Sequence, residues 1–218
     1  LPGRITKEKL IKARPTEPML VNTLKNFEVL GREKTLQHFQ ESQQKINKLV
    51  FSLIKSNSVI FTHCHSTNVI NALIYAKRKG KKFEVYNTET RPLYQGRKTS
   101  QKLSRAGIKS TEFVDSAARI ALLKEQNTKK VDLVFFGADA ILPGSVINKV
   151  GSGMFAEISY DNKIPVYIIA DSWKYTKHIK LEERDFHEVW KNAPKHVKIR
   201  NLAFEKIPGK YIKAIVSE

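Results

Sequence analysis

The sequence contains very little cysteine and no long hydrophobic run. Cys64 is the single cysteine in 218 residues, which excludes a disulfide within the chain and agrees with a reducing compartment. No apolar run approaches the roughly 20 residues that a membrane-spanning helix needs, and the start shows no signal-peptide pattern. These absences predict a soluble, cytoplasmic protein with no membrane partner. With 41% hydrophobic residues, the chain is long enough to bury a core.

Acidic residues are scarce relative to basic ones. The 21 Asp and Glu face 39 Lys and Arg, a formal net charge of +18, so the surface should attract polyanions and phosphorylated small molecules. The basic residues are dispersed along the sequence, and the largest cluster, at 77–82, is typical of a solvated helix end. The sequence has no helix-turn-helix, zinc-finger or RNA-binding motif. Specific nucleic-acid binding is therefore the less favoured interpretation of the charge.

The single cysteine lies where a predicted strand passes into a predicted helix. Residues 59–61 form a β-branched and aromatic run typical of a buried parallel strand, and a helix capped at Ser66 or Thr67 follows. In open α/β sheets ligands bind at the carboxyl ends of strands, and a helix N-terminus lowers the pKa of a nearby thiol. This position favours a reactive thiol at Cys64.

Two other interpretations of this stretch stay open. A free cysteine is commonly a small buried hydrophobic side chain with no chemical role. His63 and His65 flank Cys64 and would offer metal ligands, but no second cysteine or nearby carboxylate completes the four-ligand set of a structural zinc site. We therefore expect no metal here.

Strand and helix patterns alternate along most of the chain. Helices are predicted at 19–30 and 32–55. Strand patterns, separated mostly by helical ones, are found at 59–61, 83–86, 111–114, 131–136, 165–170 and 211–216. Such alternation specifies a parallel sheet covered by helices. The sequence thus predicts an α/β fold in two parts, a helical N-terminal portion at 1–55 and an α/β domain at 56–218.

Two further polar candidates follow the later strands. Asp139 comes after the apolar run 131–136, where partial desolvation would suit a carboxylate to acid–base chemistry, although a turn or helix cap is the alternative. Lys174 follows the strand at 165–170. Because the carboxyl ends of parallel strands share one edge, these side chains and Cys64 are expected to meet in one crevice.

A glycine-rich segment offers a possible phosphate site. Gly151 and Gly153 open a predicted helix, whose free N–H groups can hold an anion. Lys149, just before them, adds positive charge. Taken alone this pattern is weak, because glycines open many helices.

Five motifs, in order along the chain, resemble those of one known family. They are Thr-His-Cys-His-Ser (62–66), Thr-Glu-Thr-Arg-Pro with Gln-Gly (88–96), Val-Asp-Ser-Ala-Ala-Arg (114–119), Gly-Ala-Asp-Ala-Ile (137–141) and Val-Ile-Asn-Lys-Val-Gly (146–151). The chain resembles the archaeal ribose-1,5-bisphosphate isomerases, a family akin to the methylthioribose-1-phosphate isomerases and to the α, β and δ subunits of translation initiation factor 2B. The resemblance implies a Rossmann-like parallel-sheet domain preceded by a helical N-terminal portion.

The resemblance also implies roles for particular residues. The family's catalytic cysteine and aspartate correspond to Cys64 and Asp139. Substrate contacts are implied for Arg14, Asn148, Lys149 and Lys174. The implied enzyme converts ribose 1,5-bisphosphate into ribulose 1,5-bisphosphate by acid–base proton transfer. It would need no cofactor and no metal, and it would be a homo-oligomer.

Both ends of the chain depart from the family pattern. Pro2-Gly3-Arg4 does not match the family's Arg-Gly-Ala phosphate loop, and the chain stops at Glu218, short of a tail that helps subunits pair. A fragment or a trimmed, non-catalytic branch is therefore expected. The alternative function is that of a regulatory subunit that binds translation initiation factor 2 subunits, whereas retention of Cys64 and Asp139 favours an enzyme.

Self-association is expected through the α/β domain. The resemblance to oligomeric proteins is the main reason. In addition, residues 181–190 mix charges with Phe186, Val189 and Trp190, as the rims of interfaces do. The alternative is a satellite core under a loop.

Overall fold

The N-terminal part of the molecule is helical. A computed structural model describes residues 6–13 and 16–218. Helix α1 spans Lys7–Ala13, and helix α2 spans Pro18–Leu53. Gly31 has φ 77° and ψ 176°, so α2 consists of two helical runs broken at a glycine, close to the two helices that the sequence predicts. Within the described ranges, none of the helices combines the length and apolar character needed to cross a bilayer.

The remaining elements alternate between strands and helices. Four helices follow α2, namely α3 (Thr67–Arg78), α4 (Gln95–Arg105), α5 (Ala118–Leu122) and α6 (Ser152–Asp161). The strands of the described residues are β1 (Ser58–Thr62), β2 (Phe83–Thr88), β3 (Lys109–Phe113), β4 (Leu133–Phe136), β5 (Ala140–Leu142), β6 (Ser145–Lys149), β7 (Val166–Ile169), β8 (Phe204–Pro208) and β9 (Ala214–Val216).

Six strands form a parallel sheet in the order β3-β2-β1-β4-β7-β9. The second run of α2, with α3 and α4, covers one face, where Ile46, Leu73 and Leu103 are fully buried. Helices α5 and α6 cover the other face, where Leu122 and Phe155 are fully buried. Each central strand is therefore apolar on both sides, as parallel strands between helical layers are. The predicted α/β fold with a helical N-terminal part is confirmed. The division at residue 55 stays a prediction. Residues of α2 and α3 pack in one hydrophobic cluster across it.

A second, smaller sheet was not predicted. Strands β5, β6 and β8 pair antiparallel, with β6 in the middle and Asn148 opposite Glu205. Lys149, which the sequence analysis placed just before the glycine-rich start of a helix, is the last residue of strand β6. Since β5 begins directly after Asp139, this sheet adjoins the carboxyl edge of the parallel sheet.

Candidate active site

Three neighbouring strands, β1, β4 and β7, end at one cavity of about 660 Å³. Cys64 follows β1, Asp139 follows β4 and Lys174 lies in a short turn after β7. All three residues line the cavity. The structure therefore brings together the thiol, the carboxylate and the lysine that the sequence places at strand ends.

The small sheet completes the cavity wall. Asn148 and Lys149, at the end of β6, are only 5% and 4% exposed and line the same cavity. The amide of Asn148 donates to the Ser152 hydroxyl at 2.9 Å, and that hydroxyl donates to the Lys149 carbonyl at 2.7 Å. The remaining predicted substrate contact, Arg14, lies outside the described residues. The roles of all these residues stay predictions.

The backbone of Cys64 is held in an unusual conformation. Its φ is 67°, in the left-handed region that a side chain seldom adopts. The N–H of Cys64 donates to Thr90 Oγ1 at 3.0 Å, and its carbonyl accepts from Thr99 Oγ1 at 2.8 Å. The loop after β2 and helix α4 thus fix the thiol-bearing residue from both sides.

Asp115 in turn holds the loop that contains Thr90. Its two carboxylate oxygens accept the backbone N–H groups of Thr90 and Arg91 at 2.9 and 2.7 Å. The Asp115 side chain forms no cap bond to its own helical turn. Thr90 also has a left-handed φ of 61°, so the carboxylate supports a conformation that the chain would not favour by itself.

Burial dominates the ionisation of the thiol. Desolvation raises the pKa of Cys64 to about 11, and the charge of Asp139 raises this pKa further, while a backbone N–H and the charge of Lys149 lower it. The expectation of a lowered thiol pKa from the helix N-terminus is therefore wrong for this site. At neutral pH the thiol is protonated.

The surroundings of Lys149, which is buried, and of Lys174, which is half-buried, disfavour the charged form of each side chain. Desolvation lowers the pKa of Lys149 and of Lys174, and the charge of Asp139 opposes that shift for both. The Lys174 ammonium donates to the Ala138 carbonyl at 2.5 Å, beside Asp139. Cations that have already lost solvent gain most from an incoming anion.

The histidines on either side of Cys64 have structural hydrogen bonds. His63 is buried, and its Nε2 donates to the Val150 carbonyl at 3.0 Å while Nδ1 lies 2.6 Å from the Thr88 hydroxyl. Nδ1 of His65 lies 2.9 Å from Thr99 Oγ1. Desolvation lowers the pKa of each histidine to about 4, so both rings are neutral at physiological pH.

One cluster in the described residues has the spacing of metal ligands. Nitrogen and carboxylate oxygens of His38, Asp171 and Glu218 lie within 4.8 Å of one another. His38 Nε2 is 3.1 Å from Asp171 Oδ1, Ser42 donates to the other Asp171 oxygen at 2.6 Å, and the Trp173 ring stacks on His38 at 3.8 Å. These hydrogen bonds account for the arrangement without an ion.

Several cavity residues were missed because the sequence gives them no distinctive signal. Gln95, in the first turn of α4, has a side-chain oxygen that is buried and meets no donor among the described residues. Lys98 and Arg184 add positive charge to the lining. Gln95 was noted only as part of a motif, and Arg184 lies in a segment without a regular pattern. All three add polar contacts suited to a phosphorylated, hydroxyl-bearing ligand.

Comparisons with known proteins agree with this geometry. A model of the Initiation factor 2 subunit family matches residues 5–218. The ribose 1,5-bisphosphate isomerase of Methanocaldococcus jannaschii is 35% identical, and the alignment covers 96% of this chain and 73% of that protein. The protein of the same name from Archaeoglobus fulgidus is 32% identical, with 99% and 74% covered.

A solved structure shows the same architecture. The crystal structure of the Pyrococcus horikoshii OT3 translation initiation factor eIF-2B superposes with a TM-score of 0.84 at 27% identity. The superposition covers 97% of this chain and 78% of that one. The likeness extends over both the helical and the α/β part.

Proposed function

The chain belongs to the Initiation factor 2 subunit family, and on that premise we propose that it is an aldose–ketose isomerase that converts ribose 1,5-bisphosphate into ribulose 1,5-bisphosphate. Two relatives named ribose 1,5-bisphosphate isomerase are 35% and 32% identical to this chain. The observation that carries the proposal is the meeting of Cys64 and Asp139 in one cavity with the buried Lys149 and the half-buried Lys174.

The reaction requires one group that transfers protons to and from carbon atoms and another that transfers protons to and from oxygen atoms. Oxygen 1 of the substrate carries a phosphate, so the sugar ring opens by cleavage of the C1–O4 bond. Loss of the C2 proton supplies the electron pair for a C1=C2 double bond as C1–O4 breaks, and O4 takes up a proton. The resulting enol phosphate becomes the ketone when O2 loses its proton and C1 gains one.

Cys64 and Asp139 divide these transfers between them. The Cys64 thiolate takes the proton from C2 and returns it to C1, while the Asp139 carboxyl group gives a proton to O4 and later accepts the O2 proton. Both groups end as they began, so the balance requires no cofactor and no metal. In the resting site the raised pKa of Cys64 keeps a proton on sulfur. That proton must pass to Asp139, and the nearby charge of Lys149 favours the thiolate that is left.

The two phosphates account for the cationic lining. Lys149 and Lys174 are largely desolvated, so each gains a charge-assisted hydrogen bond when a phosphate enters. Asn148 and Arg14 complete the proposed substrate contacts. Holding both phosphates of the sugar fixes C1 and C2 against the acid–base pair while the ring opens and the enol forms.

The second candidate is a regulatory subunit without catalysis, which binds translation initiation factor 2 subunits and uses the cavity to hold a ligand. It is favoured by the structural likeness to an eIF-2B protein. A binding protein does not require the Cys64 and Asp139 pair. Loss of either side chain would then leave ligand affinity and partner binding intact.

We further propose a cytoplasmic homo-oligomer. The cytoplasmic location rests on Cys64, a free thiol that the chemistry needs in reduced form. Self-association is supported by an exposed apolar strip that includes Leu181, Phe186, Trp190 and Leu202. Light scattering across a salt series tests it, because the charge of +18 opposes association at low salt. A single species of 25.0 kDa at high salt would contradict it.

Turnover of the bisphosphate tests the proposed reaction. Purified protein should convert ribose 1,5-bisphosphate to ribulose 1,5-bisphosphate. The conversion is monitored by ³¹P NMR. Cys64→Ala and Asp139→Asn should each lower the rate by about 10²- to 10⁴-fold, the usual contribution of an acid–base group. Calorimetry should show that both variants still bind the bisphosphate. Binding without turnover in the unaltered protein would favour the regulatory candidate, and absence of both would exclude the sugar bisphosphate as ligand.

A further inference from the structure

The edge of the parallel sheet opposite the candidate active site is lined with lysines. In a parallel sheet all strands start at one edge, and here each of the six strands has a lysine at its first residue or within three residues before it. These lysines are Lys55 before β1, Lys82 before β2, Lys109 at the start of β3, Lys130 before β4, Lys163 before β7 and Lys213 before β9. Positive charges that are dispersed in the sequence are thus aligned by the fold.

Most of this charge is unneutralised. All six side chains belong to exposed residues, and among the described residues no carboxylate lies within ion-pair distance of Lys55, Lys82, Lys130, Lys163 or Lys213. Only Lys109 is paired, with Glu84 at 3.5 Å. The row therefore carries a net positive charge, which Asp132 beside Lys55 and Glu84 beside Lys109 reduce locally.

Helix dipoles explain only part of the row, since Lys55 and Lys163 each lie two residues beyond the end of a helix. Lys77 and Arg78 lie in the last turn of α3, where a cation complements the carbonyl end of a helix. Lys82, Lys130 and Lys213, in contrast, lie outside any helix, one to three residues before a strand. Six strands spaced about 4.8 Å apart extend the row over about 24 Å, long enough to contact several phosphates of one strand.

Two tyrosines, one exposed and one half-buried, lie at one end of the row. A groove of about 880 Å³ runs between the end of α6 and the segment after β8, and Lys163, Lys210 and Lys213 line it together with Asp161. The ring centroids of Tyr160 and Tyr211 are 5.5 Å apart in this groove, and Tyr160 is 54% exposed. A basic track beside an exposed aromatic ring is the chemistry that binds single-stranded nucleic acid, since the bases stack while the backbone follows the cations.

We propose that this edge, defined by Lys55, Lys82, Lys130, Lys163 and Lys213 with Tyr160, binds a single strand of nucleic acid. The surface is separate from the sugar-phosphate cavity, which lies at the opposite ends of the strands. The proposal does not depend on the isomerase reaction.

Fluorescence anisotropy with a labelled 20-nucleotide oligouridylate tests the proposal between 50 and 200 mM salt. The edge variant changes Lys55, Lys82, Lys163 and Lys213 to Gln. Its matched control changes four exposed lysines of α2 to Gln, namely Lys25, Lys34, Lys45 and Lys48. Both variants lose the same net charge, so they separate local contacts from overall attraction.

The edge variant should bind at least tenfold more weakly, and its slope of log K against log salt should fall by about 3, since each lost phosphate contact removes about 0.7. The α2 control should stay within twofold of the unaltered protein. Tyr160→Ala should weaken binding about tenfold for the oligouridylate but not for inorganic polyphosphate of similar length, because only the oligonucleotide has bases to stack. Circular dichroism checks that each variant folds. If the four-lysine variant does not fold, Lys163→Gln alone should still weaken binding, by a smaller factor.

Three results would overturn the proposal. Equal losses in the edge variant and the α2 control would show attraction by net charge only. No effect of Tyr160→Ala would show a general polyanion surface. An unaltered protein that does not bind the oligouridylate at 50 mM salt would show that the row has no nucleic-acid ligand.

Discussion

The backbone N–H of Cys64 donates to the Thr90 hydroxyl at 3.0 Å, and that hydroxyl donates to the Thr88 carbonyl at 3.2 Å. Both Cys64 and Thr90 have left-handed backbone conformations. The position of the proposed catalytic thiol is therefore set by a loop from the neighbouring strand, with Asp115 as the anchor of that loop.

Thr90→Val should damage catalysis more than substrate binding. The change removes the acceptor of the Cys64 N–H, and an unpaired buried donor costs about 1–3 kcal/mol. We expect kcat to fall about 10- to 100-fold with little change in KM, and urea unfolding to show a loss of stability in the same range. Thr90→Ser keeps the hydroxyl and is the matched control. Equal kinetics for the Val and Ser variants would show that the hydrogen bond does not position Cys64.

Alkylation of Cys64 should speed up steeply with pH. Because the pKa of the thiol is raised to about 11, the thiolate fraction grows about tenfold per pH unit below that value. Rates with iodoacetamide should therefore rise between pH 8 and 10 without a plateau. Lys149→Gln should slow the reaction at pH 8, since the lysine charge lowers this pKa, and Asp139→Asn should speed it, since the aspartate charge raises it. A plateau below pH 9 would contradict the raised pKa.

The protein should lose stability as the pH falls from 6.5 to 4. The pKa of His63 is lowered from about 6.5 to about 4 by burial, so in this window the unfolded chain binds a proton that the native chain does not. The contribution is fully present above pH 6.5, and the loss is complete near pH 4. It amounts to about 3 kcal/mol for His63, and His65 adds in the same direction. Urea titrations at pH 7 and 4.5 measure it.

The controls for this pH effect are two single variants. His63→Gln removes the titrating ring and should make the difference between pH 7 and 4.5 smaller, even if the variant is less stable overall. His196→Gln removes an exposed ring and should leave the difference unchanged. The same difference in both variants would show that His63 is not its source.

Gly137→Ala should destabilise the protein through a clash with one residue, Ser66. A Cβ at Gly137 would lie 2.5 Å from Ser66 Oγ and 2.6 Å from Ser66 Cβ, so the N-cap of α3 beside Cys64 would have to move. We expect a loss of about 1–3 kcal/mol of unfolding free energy and a lower kcat. The double variant with Ser66→Gly removes the clash and should recover most of both losses, because Gly is tolerated at an N-cap. A double variant no better than Gly137→Ala would show that the strain lies elsewhere.

Local patterns were sufficient to predict the α/β alternation and the position of Cys64 between β1 and α3. The sequence could not show that β1, β4 and β7 are neighbours, since sheet order depends on packing between distant segments. Strand β6 was missed because its partner β8 lies far along the chain. The direction of the Cys64 pKa shift was wrong because the helix end is visible in sequence, whereas burial is a property of the folded chain. The row of lysines could not be predicted either, because its members lie far apart in the sequence and are aligned only by the order of the strands.

The wall of the cavity is shared between two sheets. Cys64 and Lys174 extend from the parallel sheet, Asn148 and Lys149 belong to β6 of the small antiparallel sheet, and Asp139 lies at the junction. Substitutions in β6 or β8 can therefore reshape the space around the ligand while the proposed proton-transferring groups keep their places. A fold built in this way can exchange one phosphorylated ligand for another, or keep a ligand after losing turnover, through changes confined to three short strands.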